Sequence, residues 1–233
     1  MAMDNQYLIL LLAGYSTRRK EEKKKQFSLL DGKARFLYPL ETFLKTGLFS
    51  SLVLVVQEED REEVRKNLAL LPRQQRERIL LAKGGKSRSE SVYNGYRAIK
   101  EKRKPSSYLF IHDGDRPFVS EKLILALMEK EKEDDAIVPL SPIYDSLLRK
   151  EEKASYVDRK GICRVRTPQV FSSSCRNEIR SDKKDTTDEF QKALTHGFSC
   201  GYVKGESLGF KITDRDERRR AERIAFALNQ GKR

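Results

Sequence analysis

The chain has 233 residues, of which 38% are hydrophobic and 36% charged, and its net charge is +13. That composition supports one substantial core beneath a heavily ionic surface, and no apolar stretch reaches the roughly 18 residues of a membrane span. A charge of this sign suits nucleic acid, an anionic membrane or small phosphorylated ligands, but no RNA-binding sheet motif, zinc finger or helix-turn-helix is legible, which argues against nucleic acid.

Tyr7 to Leu12 is an unbroken apolar run, the pattern of a parallel-sheet strand covered on both faces. It ends at Ala13-Gly14, small residues that let a ligand approach the backbone. Successive N–H groups in such a turn make a concavity for phosphate oxygens. Arg18, Arg19, Lys20, Lys23, Lys24 and Lys25 follow and can neutralise several negative charges. Neither G-x-x-x-x-G-K-[ST] nor G-x-G-x-x-G is present, so this is not a common nucleotide loop, and a plain basic surface loop is the alternative from this stretch alone. Leu30-Asp31-Gly32-Lys33 reads as a tight turn, with Pro39 in the first turn of a helix through Leu40, Phe43 and Leu44.

Ser51 to Val56 is a second buried strand, Glu58 to Leu70 a helix, and Ile79 to Ala82 a third strand. Gly84-Gly85 follows that strand as Ala13-Gly14 follows the first, and Ser87 or Ser89 caps the helix carrying Val92, Tyr93 and Ile99. Tyr108 to Ile111 is a fourth strand ending in His112-Asp113-Gly114-Asp115-Arg116-Pro117, Ser120 caps a helix through Leu127, and Ala136 to Leu140 is a fifth strand. This alternation predicts an α/β, Rossmann-like fold: a mostly parallel sheet with helices on both faces and ligands outside the carboxyl ends of the strands. The polar ends at residues 13, 84 and 112 should line one crevice.

From 141 to about 166 the helical rhythm breaks, and a turn at Lys160-Gly161 suggests a protruding β-arm. Such an arm is costly to hold out alone, which predicts a homodimer that buries it. Residues 1–233 are thus read as a single domain with that arm inserted. Thr167 to Phe171 returns to the core, Thr187 caps a helix through Phe190, Phe198 to Lys204 is a strand, and Asp214 to Asn229 is a closing helix. Cys163, Cys175 and Cys200 are odd in number and widely spaced, suggesting neither a disulfide framework nor a zinc site. A cytoplasmic location without membrane partners is expected.

The ordered set Leu12-Ala13-Gly14-x-Ser16-x-Arg18 with Lys25-Gln26-Phe27, Gly84-Gly85-x-x-Arg88-x-x-Ser91, His112-Asp113-x-x-Arg116-Pro117, Asp145-Ser146, Thr167-Pro168-Gln169 and Lys211-Ile212-Thr213 resembles the 2-C-methyl-D-erythritol 4-phosphate cytidylyltransferases of the non-mevalonate isoprenoid pathway. The resemblance covers nearly the whole chain and implies CTP, a sugar-alcohol phosphate and Mg²⁺. It implies Arg18 and Lys25 as catalytic cations, and Ala13, Gly14, Gly85, Lys86, Ser91 and Asp113 as nucleotide contacts. Asp113 would hold the metal, a role suited to a carboxylate because Mg²⁺ takes one or two of them with phosphate oxygens and water. Ser146, Arg159, Thr167 and Lys211 would bind the substrate phosphate, the first two from an arm that in the family reaches the partner subunit's site. Departures from the family pattern fall at Ser16, Lys24, Lys86, Gly114-Asp115, Leu148 and Gly209. The alternatives are a ribitol-5-phosphate or other polyol phosphate cytidylyltransferase, and a CTP-binding protein without turnover.

Overall fold

The computed structural model describes residues 6–14, 27–99, 108–131, 133–182, 184 and 186–231. In chain order β1 (Gln6–Leu11) is followed by a small hairpin, β2 (Leu29–Leu30) and β3 (Lys33–Ala34), then α1 (Leu37–Lys45), β4 (Phe49–Val56), a 3₁₀ turn (Glu58–Asp60), α2 (Arg61–Leu68), α3 (Arg73–Arg76), β5 (Ile79–Lys83) and α4 (Arg88–Ala98). After these come β6 (Leu109–Asp113), α5 (Glu121–Lys130), β7 (Ala136–Pro142), β8 (Leu147–Arg149), β9 (Ser155–Val157), β10 (Cys163–Val165), β11 (Gln169–Phe171), α6 (Ser173–Ser181), α7 (Glu189–Thr195), β12 (Cys200–Lys204) and α8 (Arg215–Gln230).

The main sheet has eight strands in the order β5-β4-β1-β6-β11-β7, with β10 and β12 also pairing β7. β1 is parallel to β4 and β6, β4 to β5, and β7 to β12, whereas β11 runs antiparallel to both neighbours. The unbroken apolar run of β1 has its reason here. Leu8 and Leu10 face one core with Phe43, Phe49 and Phe110, while Tyr7 and Ile9 face a second with Val53, Val55, Tyr96 and Ile111. Helices α1, α2 and α5 cover the first face, and α4, α6 and α7 the second. Because the chain steps outward from β1 through β4 to β5 and then returns to β6 on the other side, the strand order reverses at β1, where open α/β sheets bind ligands.

Asp31 and Gly32, at φ 46° and 78°, make the expected turn between β2 and β3. Of the two candidate caps of α4, Ser87 accepts a hydrogen bond from the Glu90 N–H at 3.2 Å. The predicted Thr187 cap is displaced by one residue: Asp188 caps α7, accepting from the Gln191 N–H at 3.1 Å. A carboxylate is the stronger acceptor for helix N–H groups and also favours the positive end of the helix dipole. The helix predicted from Glu58 is 3₁₀ in its first turn, and the strand predicted from Phe198 begins at Cys200. β8 and β9 form a hairpin outside the main sheet, while the flanking β7 and β10 pair within it.

Candidate active site

The carboxyl ends of β1, β5 and β6 adjoin. The Gln57 side-chain amide donates to the Ala13 C=O at 3.2 Å and the Gly85 C=O at 3.4 Å, tying the first two ends together. A Cβ on Gly84 would lie 2.5 Å from the Ala13 Cβ, so only glycine permits this approach. Gly114 presses on β1 in the same way, where a Cβ would fall 2.2 Å from Leu12 Cδ2. Gly14, by contrast, is exposed and faces open space. On the loop after β5, the Gly85 N–H donates to Ser91 Oγ at 3.0 Å, the Ser91 hydroxyl donates to the Ser87 C=O at 2.9 Å, and the Lys86 N–H donates to Glu90 Oε2 at 2.6 Å. Ser91 is buried, and its hydroxyl therefore shapes this loop before any ligand arrives.

Asp113, the last residue of β6, gathers cations. Its carboxylate lies 3.4 Å from Arg88, 3.3 Å from Arg116 and 4.0 Å from Lys211. Burial alone would raise its pKa, but Arg88, Lys211 and Arg116 outweigh burial and hold the carboxyl well below the usual range. Arg88 also pairs with Glu189, a buried residue in the first turn of α7. Burial disfavours charge on Arg88, yet Glu189 and Asp113 together raise its pKa and keep it protonated. Lys211 lies 3.0 Å from Asp115, whose own pKa is raised by burial and by Asp113.

Behind this cluster is a chain of hydrogen bonds whose proton positions follow from chemistry. His112 Nε2 is 2.9 Å from the Arg116 C=O, which only accepts, so Nε2 carries the proton and Nδ1 accepts from the Thr167 hydroxyl at 3.0 Å. Thr167 Oγ1 in turn accepts from the Asp113 N–H at 3.3 Å. Burial pushes the His112 pKa down to about 4, so its ring is neutral near pH 7. The ring therefore fixes Thr167 and Asp113, and its acceptor nitrogen faces protein.

The model of the 2-C-methyl-D-erythritol 4-phosphate cytidylyltransferases, IspD, matches residues 7–226. The chain belongs to that family. The Thermotoga neapolitana 2-C-methyl-D-erythritol 4-phosphate cytidylyltransferase is 33% identical over 219 residues, covering 93% of this chain and 95% of the relative. The enzyme of the same name from Bacillus velezensis is 31% identical over 230 residues, covering 95% and 97%. Among solved structures, the 4-diphosphocytidyl-2C-methyl-D-erythritol synthase of Anaerococcus prevotii superposes with a TM-score of 0.78 at 19% identity, covering 95% of this chain and 98% of that one. The 2-C-methyl-D-erythritol 4-phosphate cytidylyltransferase of Thermus thermophilus gives 0.75 at 24% identity, covering 95% and 99%. Both likenesses carry the fold.

Of the residues that the cytidylyltransferase resemblance assigns, the structure brings Ala13, Gly14, Gly85, Lys86 and Ser91 to the adjoining ends of β1 and β5, and Asp113, Thr167 and Lys211 to the charged cluster. Ser146 and Arg159 are exposed on the arm and make no side-chain hydrogen bond or ion pair with the described residues of that cluster. Arg18 and Lys25, with Ser16 and Lys24, lie outside the described residues. Sequence reasoning assigned no role to Arg88, Arg116, Glu189 or Gln57. Arg88 and Arg116 stand inside the quoted motifs, but a lone charge beside a turn reads as solvated, and Glu189 reads as an ordinary first-turn acid favoured by the helix dipole.

Among the described residues no group of three or more His, Cys, Asp or Glu could hold a metal. Asp113 offers one carboxylate, and its contacts of 3.3 and 3.4 Å are long for charge-assisted hydrogen bonds, which are usually about 2.7–2.9 Å. This donor set fits an Mg²⁺ ion that arrives on a triphosphate, and does not fit one held by protein alone.

Proposed function

We propose that the chain joins CTP to 2-C-methyl-D-erythritol 4-phosphate, giving CDP-methylerythritol and pyrophosphate for non-mevalonate isoprenoid precursor synthesis. The observation that carries this reading is the family match across residues 7–226. The cation-lined crevice at the reversal of strand order supplies the chemistry it needs. An oxygen of the substrate phosphate bonds to the α-phosphorus of CTP as the bond from that phosphorus to the bridging oxygen of the β-phosphate breaks, and pyrophosphate leaves with the electron pair. The attacking oxygen is already ionised and needs no general base, which agrees with a buried, neutral His112.

Catalysis then rests on positive charge held where negative charge develops. Arg18 and Lys25 take that role, Ala13 and Gly14 present backbone to the triphosphate, and Gly85 with Lys86 borders the base. Lys211 meets the substrate phosphate. Asp113 would hold Mg²⁺ with the phosphate oxygens, and the ion would offset their charge. Arg88 and Arg116 keep that carboxylate ionised.

Tyr144, Leu148 and Tyr156 leave large apolar surface exposed on or beside the arm. This supports a homodimer in which Ser146 and Arg159 serve the partner's site. Among the described residues no helix is long and apolar enough to cross a membrane. We place the enzyme in the cytoplasm.

A longer polyol presents extra hydroxyls, for which Asp115 would be a candidate acceptor. Its Oδ2 instead pairs with Lys211, and its Oδ1 is buried without a hydrogen-bond partner among the described residues. Pyrophosphate release with CTP and a panel of sugar-alcohol phosphates tests the choice. We expect the highest kcat/KM with methylerythritol phosphate, and an equal or higher value for ribitol 5-phosphate would overturn it.

A further inference from the structure

We infer that Asp115 is a positioning residue that holds the Lys211 ammonium for the substrate phosphate, an inference that rests on the function proposed above. Lys211 lies on the 205–214 connection between β12 and α8, far in sequence from β6. Asp115 and Arg116 staple that connection to the end of β6. The Ile212 N–H donates to the Asp115 C=O at 3.0 Å, Arg116 Nη1 donates to the Gly209 C=O at 3.0 Å, and the Asp115 carboxylate takes the Lys211 ammonium at 3.0 Å. The backbone contacts place the segment, but they leave the long lysine side chain free to rotate. Among the described residues the Asp115 carboxylate, backed by Asp113 at 4.0 Å, fixes where the charge sits.

An ammonium has three N–H donors, so one bond to Asp115 leaves others for a phosphate. The Lys211 side chain is 44% exposed and Asp115 only 25%, so the paired ammonium keeps solvent-accessible surface for a ligand while its partner is largely covered. The arrangement raises affinity by reducing the rotamer entropy lost on binding, the usual gain from preorganisation. It predicts a role in binding the phosphomonoester and little role in the bond-making step.

The test combines steady-state kinetics on the full chain with lysine-ammonium NMR, the Lys211 signal being assigned by its absence from Lys211→Arg. Asp115→Ala should raise KM for methylerythritol phosphate about tenfold, the scale of lysine rotamer entropy, with kcat and the KM for CTP little changed. Asp115→Asn, which keeps an acceptor, should recover part of the loss. In a Lys211→Ala background Asp115→Ala should add nothing, since the residue acts through the lysine. The ordered Lys211 signal should disappear in Asp115→Ala. An unchanged or lowered KM in Asp115→Ala, or an equal loss in the Lys211→Ala background, would overturn the inference. Should the parent turn over no sugar-alcohol phosphate, the proposed function fails, and the ammonium spectrum decides alone: a signal unaffected by Asp115→Ala refutes the positioning role.

Discussion

Glu189 lies behind the candidate site and should be one of the costliest side chains to remove. It is 3% exposed, pairs with Arg88, and through Arg88 braces Asp113. Removing one partner of a buried ion pair costs about 3–5 kcal/mol because a buried charge is left uncompensated. In Glu189→Ala, Arg88 keeps Asp113 at 3.4 Å and is itself 24% exposed, so the lower end of that range, about 3 kcal/mol, applies. Glu189→Gln keeps the shape and one acceptor, and loses only the charge component of a hydrogen bond worth about 1.5–3 kcal/mol. In urea, at about 2–3 kcal/mol per molar, the alanine variant should unfold at a midpoint about 1 M lower, with the glutamine variant in between. A midpoint for Glu189→Ala indistinguishable from the parent, or a glutamine variant as weak as the alanine one, would refute the reasoning.

His112 sets a pH dependence. Its folded pKa, about 4, lies below the unfolded value of about 6.5, so the unfolded state binds more protons between those values. The His112 contribution to stability is full above pH ~6.5 and is lost, by about 3 kcal/mol, as pH drops to 4, a component that His112→Gln removes in urea titrations across that window. Gly84→Ala forces a Cβ to within 2.5 Å of Ala13 and 2.7 Å of Gln57, displacing the loops around the nucleotide, and kcat/KM for CTP should fall about a hundredfold. Mixing Lys25→Ala and Arg159→Ala subunits should restore part of the activity each lacks, since one hybrid site receives both intact residues. No rescue after verified subunit exchange would place Arg159 in its own subunit's site or in none.

The central strand was legible because β1 is buried on both faces, which leaves no polar residue to interrupt Tyr7 to Leu12. The mostly parallel sheet followed from alternating strands and helices, whereas the order of its strands did not, and Gly84 and Gly114 mark close approaches that only glycine allows. The orientation of β11 was not legible. Val170 and Phe171 are buried whichever way the strand runs, and direction leaves no trace in an apolar run that short. The partners of Asp113 escaped for a related reason. Arg88 and, through Arg88, Glu189 reach it from the first turns of α4 and α7, and nothing local distinguishes either from a solvated charge. Thr167 was read as a phosphate ligand, while its described hydrogen bonds run to His112 and Asp113.

The central claim is that this crevice transfers a cytidylyl group. Phosphorus NMR of the purified chain with CTP, Mg²⁺ and 2-C-methyl-D-erythritol 4-phosphate tests it most directly, run beside a Lys25→Ala variant whose circular dichroism matches the parent. The account predicts paired diphosphodiester resonances and pyrophosphate growing in equal amounts with the parent, and at least about a hundredfold slower growth with the variant, as when a preorganised charge is removed from a developing anion. An unchanged CTP spectrum with the folded parent, or equal rates for parent and variant, would contradict it.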